Sequence, residues 1–348
     1  MVTRIARVAP PNIDRMTEGA AVPRRSRASW KLALRLAVTA AFLALLISKA
    51  HDADDAIPSQ HHGITIFLLL AALGCTFLGV VLSAWRWQRV LLLFDVRVPI
   101  RTLTSTYLAG LFVGNVLPST IGGDVLRVAR TTDDAHSSEV SFASVVLERL
   151  TGFVALPLLV FAGFALRPSM LDKDHAKLAL IIAIATWVLL ALILFVAGHP
   201  RIAGRYAEKP NWTRFIGAVH VGVDRLRREP RQLGPVIGTA LLYQLSVVIV
   251  FMLVFRALDL PVPLTAALAF SPAVLMIQVL PISIGGLGLR EGALVVFLHP
   301  FLKGTGVTDA RVFAAGLLWY GCLIVVSMLG APSFAIGRRK TEPQKEDA

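Results

Sequence analysis

The sequence is poor in cysteine and in charged residues. Of its 348 residues only two are Cys (Cys75 and Cys322) and 16% are charged, whereas a typical soluble domain has about 25% charged residues. Two cysteines are too few for a disulfide framework or a structural zinc site. The low charge, together with 55% hydrophobic residues and a mean hydropathy of +0.68, excludes a disordered chain, a collagen and nearly all soluble enzymes. We therefore expect an integral membrane protein.

Motifs for several kinds of chemistry are missing as well. Gly286-Leu287-Gly288 lies in an apolar segment with no βαβ unit around it, so it does not indicate a dinucleotide site. His61 and His62 lack the spacing of metal ligands, and the sequence offers no Ser/His/Asp arrangement for nucleophilic catalysis. We therefore predict no catalytic residue, no metal site and no cofactor, and a protein that is not an enzyme. The basic loop 199–232 favours anionic lipid over nucleic acid as a partner.

Long apolar runs are what the sequence has instead. A helix needs about 20 mostly apolar residues to cross the hydrocarbon core. Six runs are long and uninterrupted: 31–48, 64–84, 142–166, 176–198, 235–255 and 311–336. Two further runs are apolar but interrupted by Pro and Gly, 103–123 and 264–289. We predict an all-α membrane protein with about six full transmembrane helices and two broken, re-entrant segments, which would appear as seven or eight hydropathy peaks.

The basic residues predict the orientation, because cytoplasmic loops are enriched in Lys and Arg. Residues 1–30 contain six Arg, and the loop 199–232 contains eight Lys or Arg against three acidic residues. We expect both on the cytoplasmic side, together with the charged tail 338–348 and the loop that begins near Arg86. The segment 49–63 has three Asp against one Lys and is expected outside. Both termini are therefore predicted to be cytoplasmic.

The same segments define the domain organisation. A basic cytoplasmic tail (1–30) precedes a transmembrane domain (31–337), which a charged cytoplasmic tail follows (338–348). A cleaved signal peptide is the alternative interpretation of residues 1–50, but the basic segment before the first apolar run is too long for one. Four tryptophans lie beside basic loops and are expected to anchor the chain at the membrane interface: Trp30, Trp85, Trp87 and Trp212.

The two broken segments are related to each other in sequence. Residues 116–127 (VLPSTIGGDVLR) and 279–290 (VLPISIGGLGLR) are identical at eight of twelve positions, including the proline, the Gly-Gly pair and the final arginine. In the predicted orientation the first segment turns back from the cytoplasmic side and the second from the outside. We therefore predict a 3+3 inverted repeat, with repeat one at 31–166 and repeat two at 176–337. In transporters of this kind such segments meet near the midplane and form the substrate site; the alternative is that Pro and Gly only kink two ordinary helices.

Polar residues at these segments are the candidates for a site, because a charge within the hydrocarbon costs a few kcal/mol and often marks a pathway. The predicted substrate-binding residues are Asn115, Pro118, Gly122, Gly123, Asp124, Arg127, Glu148, Arg149, Gln278, Pro281, Gly285, Gly286, Arg290 and Glu291. The arginines match a lipid phosphate, and the carboxylates would position them or meet a cationic head group. Adjacent helical residues point in different directions, so Glu148 and Arg149 are expected to pair with other helices. The alternative is structural: buried ion pairs lock the helices together, while Arg127 and Arg130 follow the positive-inside rule.

These motifs resemble a known family. The segments 114–127, 147–149 and 280–291 are similar to the lysylphosphatidylglycerol synthase transmembrane-region family, a flippase-like domain, and the resemblance covers about residues 30–337. It implies a multi-pass protein of a bacterial or archaeal inner membrane. In the aminoacyl-lipid synthases of the family, this domain moves the modified phospholipid between leaflets. Those enzymes also carry a soluble aminoacyl transferase domain after the membrane part; here 338–348 follow instead, so we expect no synthase activity.

The predicted function is that of a lipid flippase or flippase-like transporter for a phospholipid or another lipid-linked head group. The alternative is a non-transporting membrane subunit that assists a lipid-modifying or polyprenyl-phosphate glycosyltransferase enzyme, since other relatives accompany such enzymes. An intramembrane enzyme is the least favoured interpretation. A second copy of the chain and a partner enzyme are both open as partners, and anionic membrane lipids are expected at the basic loops.

Overall fold

The computed structural model describes residues 62–116, 122–199, 213–279 and 286–336. All regular elements in these ranges are helices, which confirms the predicted all-α class. The eleven α-helices are α1 (His62–Leu92), α2 (Ile100–Val116), α3 (Gly122–Ala135), α4 (Ser138–Leu166), α5 (Ala176–Gly198), α6 (Thr213–Arg228), α7 (Leu233–Ala257), α8 (Leu264–Gln278), α9 (Leu289–Leu302), α10 (Asp309–Met328) and α11 (Gly330–Ile336). Short 3-10 helices at Pro168–Asp172 and Pro230–Gln232 precede α5 and α7.

Five helices are long and apolar enough to cross a membrane: α1, α4, α5, α7 and α10. They correspond to five of the six uninterrupted apolar runs, so the chain is a multi-pass membrane protein. The sixth run, 31–48, lies outside the described residues. The predicted tails 1–30 and 338–348 lie outside them too, as do residues 200–212 of the predicted loop.

Helix α1 and the last apolar run depart from their predicted bounds. α1 has 31 residues, more than the roughly 20 that a span needs, and it continues from residue 84 to Leu92 because Trp87 and Leu91 are buried on its inner face. Arg86, which the sequence assigned to a loop, therefore lies within a helix. The run 311–336 is divided into α10 and α11. Pro332 has no N–H to donate to the carbonyl four residues earlier, so one continuous helix is unfavourable there.

Each broken segment consists of two helices. α2 and α3 pack against each other, and so do α8 and α9. The connections, 117–121 and 280–285, lie outside the described residues. The pairs extend to Ala135 and Leu302, beyond the predicted ends of the broken segments at 123 and 289. A Cβ atom at Gly123 would lie 2.3 Å from the carbonyl oxygen of Gly110, so the absence of a side chain permits this close contact of α3 with α2.

The helices pack around a central pair formed by α1 and α7, which contact each other along much of their length. The larger apolar core lies among α4, α5, α7, α8, α9 and α10, where Phe251, Phe270 and Phe297 are fully buried. A second core joins α1, α4 and α6 around Trp87 and Leu147. This packing turns one face of the middle of α1, α7 and α10 toward the inside of the bundle and leaves the other face exposed.

Candidate functional site

Buried charges gather where α1, α3 and α4 meet. Glu148 on α4 has 1% of its side chain exposed and accepts hydrogen bonds from Arg86 on α1 and Arg127 on α3. The distances are 2.9 Å from Nε of Arg86 to Oε1 and 3.2 Å from Nη2 of Arg127 to Oε2. Asp124 on α3 lies 3.4 Å from Arg127 and 2.6 Å from Nη2 of Arg149. We call Arg86, Asp124, Arg127, Glu148 and Arg149 the five-charge cluster.

Helical spacing explains how the sequence assembles this cluster. Asp124 lies in the first turn of α3, where the helix dipole favours a carboxylate, and Arg127 follows one turn later on the same face. Glu148 and Arg149 are adjacent on α4 and contact different partners, with Glu148 buried and Arg149 half exposed. A Cβ atom at Gly152, one turn after Glu148, would lie 3.0 Å from Arg86 Nη1. The glycine therefore leaves room for the guanidinium group.

Aromatic rings enclose the guanidinium group of Arg127. Its central carbon lies 4.2 Å from the ring centroid of Trp87 and 4.4 Å from that of Tyr107. Contacts of this kind stabilise a desolvated cation by about 2 kcal/mol. The prediction that Trp87 anchors the chain at the membrane interface is wrong, because its side chain is 0% exposed and covers a buried arginine.

A second buried charge pair lies at the start of α9. Arg290 and Glu291 are 3% and 0% exposed, and Nη2 of Arg290 donates to Oε1 of Glu291. The other carboxylate oxygen accepts a hydrogen bond of 2.7 Å from the backbone N–H of Gly288. The guanidinium carbon lies 4.2 Å from the ring centroid of Tyr320 on α10. We call Arg290 and Glu291 the α9 ion pair; both oxygens of its carboxylate are engaged.

A cavity of about 150 Å³ lies beside both groups of charges. Its walls come from the middle of α1, α7 and α10, from α2, from the end of α8 and from the start of α9. Arg290 lines it directly. Two of the lining side chains also contact the five-charge cluster: Tyr107 at Arg127 and Tyr243 at Arg86, the latter with 5.0 Å between the guanidinium carbon and the ring centroid. The lining hydroxyl groups belong to Thr76, Ser83, Tyr107, Tyr243, Ser246 and Tyr320.

Some buried polar atoms at this cavity have no hydrogen-bond partner within the described ranges. They are Nε of Arg290, Oε1 of Gln278 and Oγ of Ser83. Close by, the hydroxyl of Tyr320 donates to Oδ1 of Asn115 at 3.1 Å, whereas Nδ2 of Asn115 has no partner in the described part of the chain. A buried polar atom without a partner costs about 1–3 kcal/mol. Each of these atoms would therefore gain free energy from a hydrogen bond to a polar ligand or to water.

The predicted site residues fall into these two places. Asp124, Arg127, Glu148 and Arg149 belong to the five-charge cluster, whereas Gln278 and Arg290 line the cavity, next to Asn115 and Glu291.

The predicted glycines within the described ranges lie at the start of a helix or where the backbone leaves no room for a side chain. Gly122 and Gly123 are the first residues of α3. Gly286 has a φ of 76°, and a Cβ atom there would lie 2.8 Å from Cβ of Gln278, so only glycine fits without strain. Three predicted residues lie outside the described ranges: Pro118, Pro281 and Gly285.

Sequence reasoning missed Arg86 and the tyrosines. Three of the four tyrosines of the chain line the cavity. Tyrosine in a membrane protein favours the two interfaces, so Tyr107, Tyr243 and Tyr320, well inside apolar runs, were a usable signal for a polar interior. In the part of the chain that the structure describes, no three His, Cys, Asp or Glu side chains are grouped as metal ligands.

Comparison with known proteins assigns the family. No curated protein and no solved structure matches the chain. The family described as Lysylphosphatidylglycerol synthase TM region matches residues 32–330. The matched range contains the five-charge cluster, the α9 ion pair and every residue that lines the cavity. The family thus covers the whole candidate site, and the expectation from the sequence motifs is confirmed. The chain therefore belongs to the Lysylphosphatidylglycerol synthase TM region family.

Proposed function

We propose that the chain is a flippase-like transporter that moves a phospholipid or another lipid-linked head group between the leaflets of the cell membrane. The observation that carries this proposal is the cavity, which lies at the middle of three long apolar helices and contains the buried guanidinium of Arg290. An ionisable group at such depth is costly and marks a pathway for a polar substrate. The matched family region is a transmembrane region, and we assign transport rather than synthesis to it.

The inverted repeat belongs to the same proposal, and the pattern of helix contacts supports it. The two halves can be matched helix by helix: α1 with α7, α2 with α8, α3 with α9, and α4 with α10. For every contact between two of these helices, the two matched helices are also in contact. α4 packs against α8 as α10 packs against α2, and α4 packs against α7 as α10 packs against α1. The contact between α1 and α7 is its own counterpart, because these two helices are matched with each other. A two-fold axis between these two helices would produce this pattern, and the orientation proposed from the basic residues makes the two halves run in opposite directions through the membrane.

Close helix approaches occur in corresponding places of the two halves. A Cβ atom at Gly163, near the end of α4, would lie 2.7 Å from the backbone nitrogen of Ala269 on α8. A Cβ atom at Gly330, the first residue of α11, would lie 2.1 Å from the carbonyl oxygen of Leu108 on α2. The broken segment of each half thus has a close approach to the other half: α8 to the end of α4, and α2 to the start of α11, directly after α10. Such mutual contacts suit two halves that form a site between them.

The size of the cavity suits a head group and not a whole lipid. Its volume of about 150 Å³ is below the roughly 300–1,000 Å³ of a typical small-molecule pocket. The acyl chains would remain in the hydrocarbon while the head group passes between the two halves of the bundle. Arg290 would bind the phosphate, since a guanidinium group matches phosphate oxygens in charge and geometry. Gln278 would contact the rest of the head group.

The orientation is proposed from the basic residues, with both termini in the cytoplasm. Helix α6 continues the basic loop and carries Arg225, Arg227 and Arg228 in its last turn. Arg225 and Arg228 are 44% and 73% exposed. Basic side chains near the cytoplasmic surface contribute about 1 kcal/mol each to the binding of anionic lipid. Anionic membrane lipids are therefore the proposed partner of this surface.

A second candidate function is that of a non-transporting membrane subunit that assists a lipid-modifying enzyme. The five-charge cluster favours it, because Glu148 and Asp124 both contact arginines within the cluster. Ion pairs that only hold helices together would look the same.

Leaflet-resolved transport distinguishes the two functions. The purified chain is reconstituted into vesicles that contain a fluorescent phosphatidylglycerol, and the label in the outer leaflet is destroyed with a membrane-impermeant reagent. A transporter makes the inner-leaflet label accessible within minutes. Equal protection of the label in vesicles with the chain and in protein-free vesicles would contradict transport and favour the subunit.

A further inference from the structure

We propose that the cavity selects an anionic phosphate ester whose remaining head group is uncharged and rich in hydroxyls, and that it disfavours a head group that carries an amine. This inference rests on the proposed function, because it names the class of head group that the same cavity would bind. Three features of the described lining residues carry it: a single buried cation, the lack of a carboxylate, and the large share of hydroxyl groups.

The cation is held ready for an anion. The side chain of Arg290 is only 3% exposed. Its Nε has no hydrogen-bond partner among the described residues. Glu291 accepts from Nη2, and the ring of Tyr320 covers one face of the guanidinium. The group is therefore fixed in position while Nε–H is left to donate. A hydrogen bond from a guanidinium to a phosphate oxygen is charge-assisted and about twice as strong as a neutral one.

The described lining of the cavity offers no counter-ion to an ammonium group. None of the described residues that line it is Asp or Glu. Both oxygens of Glu291 are already engaged, by Arg290 and by the N–H of Gly288. The segments 117–121 and 280–285, which follow α2 and α8 in the chain, contain no Asp or Glu in the sequence. An amine bound here would lose its hydration without gaining an ionic partner, which is strongly unfavourable.

The surrounding charges favour an anion in the same way. The five-charge cluster has three arginines and two carboxylates, and the α9 ion pair has one of each. Four cations against three anions leave one positive charge in excess. A phosphate in the cavity would offset this excess, whereas a cationic head group would add to it.

The uncharged part of the lining suits hydroxyl groups. Six hydroxyl side chains line the cavity, among them those of Tyr107, Tyr243 and Tyr320. A hydroxyl group both donates and accepts, so these side chains can bind ligand hydroxyls in either direction. Oε1 of Gln278 is an acceptor without a partner within the described ranges, and a ligand O–H would satisfy it without bringing a charge. A glycerol or sugar attached to phosphate has this combination of groups.

The test measures lipid binding and does not depend on transport. The full chain in mild detergent is titrated with individual lipids and the complexes are counted by native mass spectrometry. Phosphatidylglycerol is compared with phosphatidylethanolamine and with lysyl-phosphatidylglycerol of the same acyl chains. We expect phosphatidylglycerol to bind at least about tenfold more tightly than either amine-bearing lipid. Two further ligands, glycerol 3-phosphate and a polyprenyl-phosphate hexose, distinguish a soluble phosphate ester, a phospholipid and a polyprenyl carrier as the source of the head group.

Variants connect the preference to the cavity. Arg290→Gln combined with Glu291→Gln removes the α9 ion pair as a unit and avoids an unpaired buried charge; we expect the preference for phosphatidylglycerol to disappear. Gln278→Leu should weaken the binding of phosphatidylglycerol and leave that of phosphatidic acid, which lacks the glycerol hydroxyls, unchanged. Arg256→Gln is the matched control, since Arg256 is exposed at the end of α7 and does not line the cavity.

The outcomes separate this inference from the proposed function. Lysyl-phosphatidylglycerol binding as tightly as phosphatidylglycerol, no binding of any of the lipids, or a preference that survives the double substitution would each overturn the inference. A preference for phosphatidylglycerol without movement of that lipid between leaflets would contradict the proposed transport and leave the inference standing. Movement of phosphatidylglycerol together with equal binding of the lysyl lipid would do the reverse.

Discussion

Replacing Glu148 with Gln should destabilise the protein strongly. Glu148 is 1% exposed and accepts hydrogen bonds from two guanidinium groups, those of Arg86 and Arg127. Glutamine has nearly the same shape but no charge, and its amide nitrogen cannot accept a hydrogen bond. Two buried cations would remain with one neutral oxygen between them. The substitution therefore changes the electrostatics of the contact and leaves its packing almost unaltered.

The contacts set the magnitude of the effect. Removing one partner of a buried ion pair costs about 3–5 kcal/mol. Arg127 would retain Asp124 at 3.4 Å and the rings of Trp87 and Tyr107, which places the expected cost near the lower end. A loss of about 3 kcal/mol corresponds to roughly a hundredfold change in the unfolding equilibrium.

Unfolding in mixed micelles, driven by added SDS and followed by circular dichroism, measures this free energy. Glu139→Gln is the matched control, because Glu139 lies exposed in the first turn of the same helix and its charge contributes under about 1 kcal/mol there. The double variant Arg86→Gln/Glu148→Gln should lose less than the sum of the two single variants, by about 0.5–3 kcal/mol. Equal unfolding curves for Glu148→Gln and Glu139→Gln would refute the reasoning, since the buried contacts would then contribute nothing.

Two further substitutions test other contacts. Gly123→Ala should separate α2 from α3 and cost about 1–3 kcal/mol of stability, because its Cβ would lie 2.3 Å from the carbonyl oxygen of Gly110. Gly114→Ala is the control: nothing lies within 4 Å of the added atom, so the unfolding curve should stay unchanged or shift slightly toward higher stability. Equal effects of the two substitutions would contradict the close packing at Gly123. Arg149→Gln should cost under about 1 kcal/mol despite its 2.6 Å contact with Asp124, because the side chain is half exposed; a loss as large as that of Glu148→Gln would show that exposure does not weaken this pair.

The transmembrane helices were largely predictable from the sequence. The run 176–198 has the bounds of α5, because a length of about 20 apolar residues is a direct requirement of the bilayer. The end of α1 was not predictable in the same way. The rule that places basic residues in cytoplasmic loops treats Arg86 as the start of a loop, and it ignores the possibility of a buried partner on another helix.

The candidate site was predictable where its contacts are local. Asp124 and Arg127 are three residues apart on one helix, so their proximity follows from helical geometry. Arg86 and Glu148 are 62 residues apart, and no periodicity in the sequence relates them. The same limit applies to the cavity, whose lining comes from six helices. The repeated Gly-Gly and Arg motif predicted Arg290, whereas Tyr243 and Tyr320 became part of the site only through packing.

The most direct test of the proposed site is the rate at which fluorescent phosphatidylglycerol changes leaflet in vesicles that contain the Arg290→Gln/Glu291→Gln variant. The rate is compared with that of the unmodified chain and of Arg256→Gln at equal protein content and equal stability. We predict a rate reduced at least about tenfold in the double variant and unchanged in Arg256→Gln. A double variant that folds and moves the lipid as fast as the unmodified chain would contradict the assignment of the cavity as the head-group site.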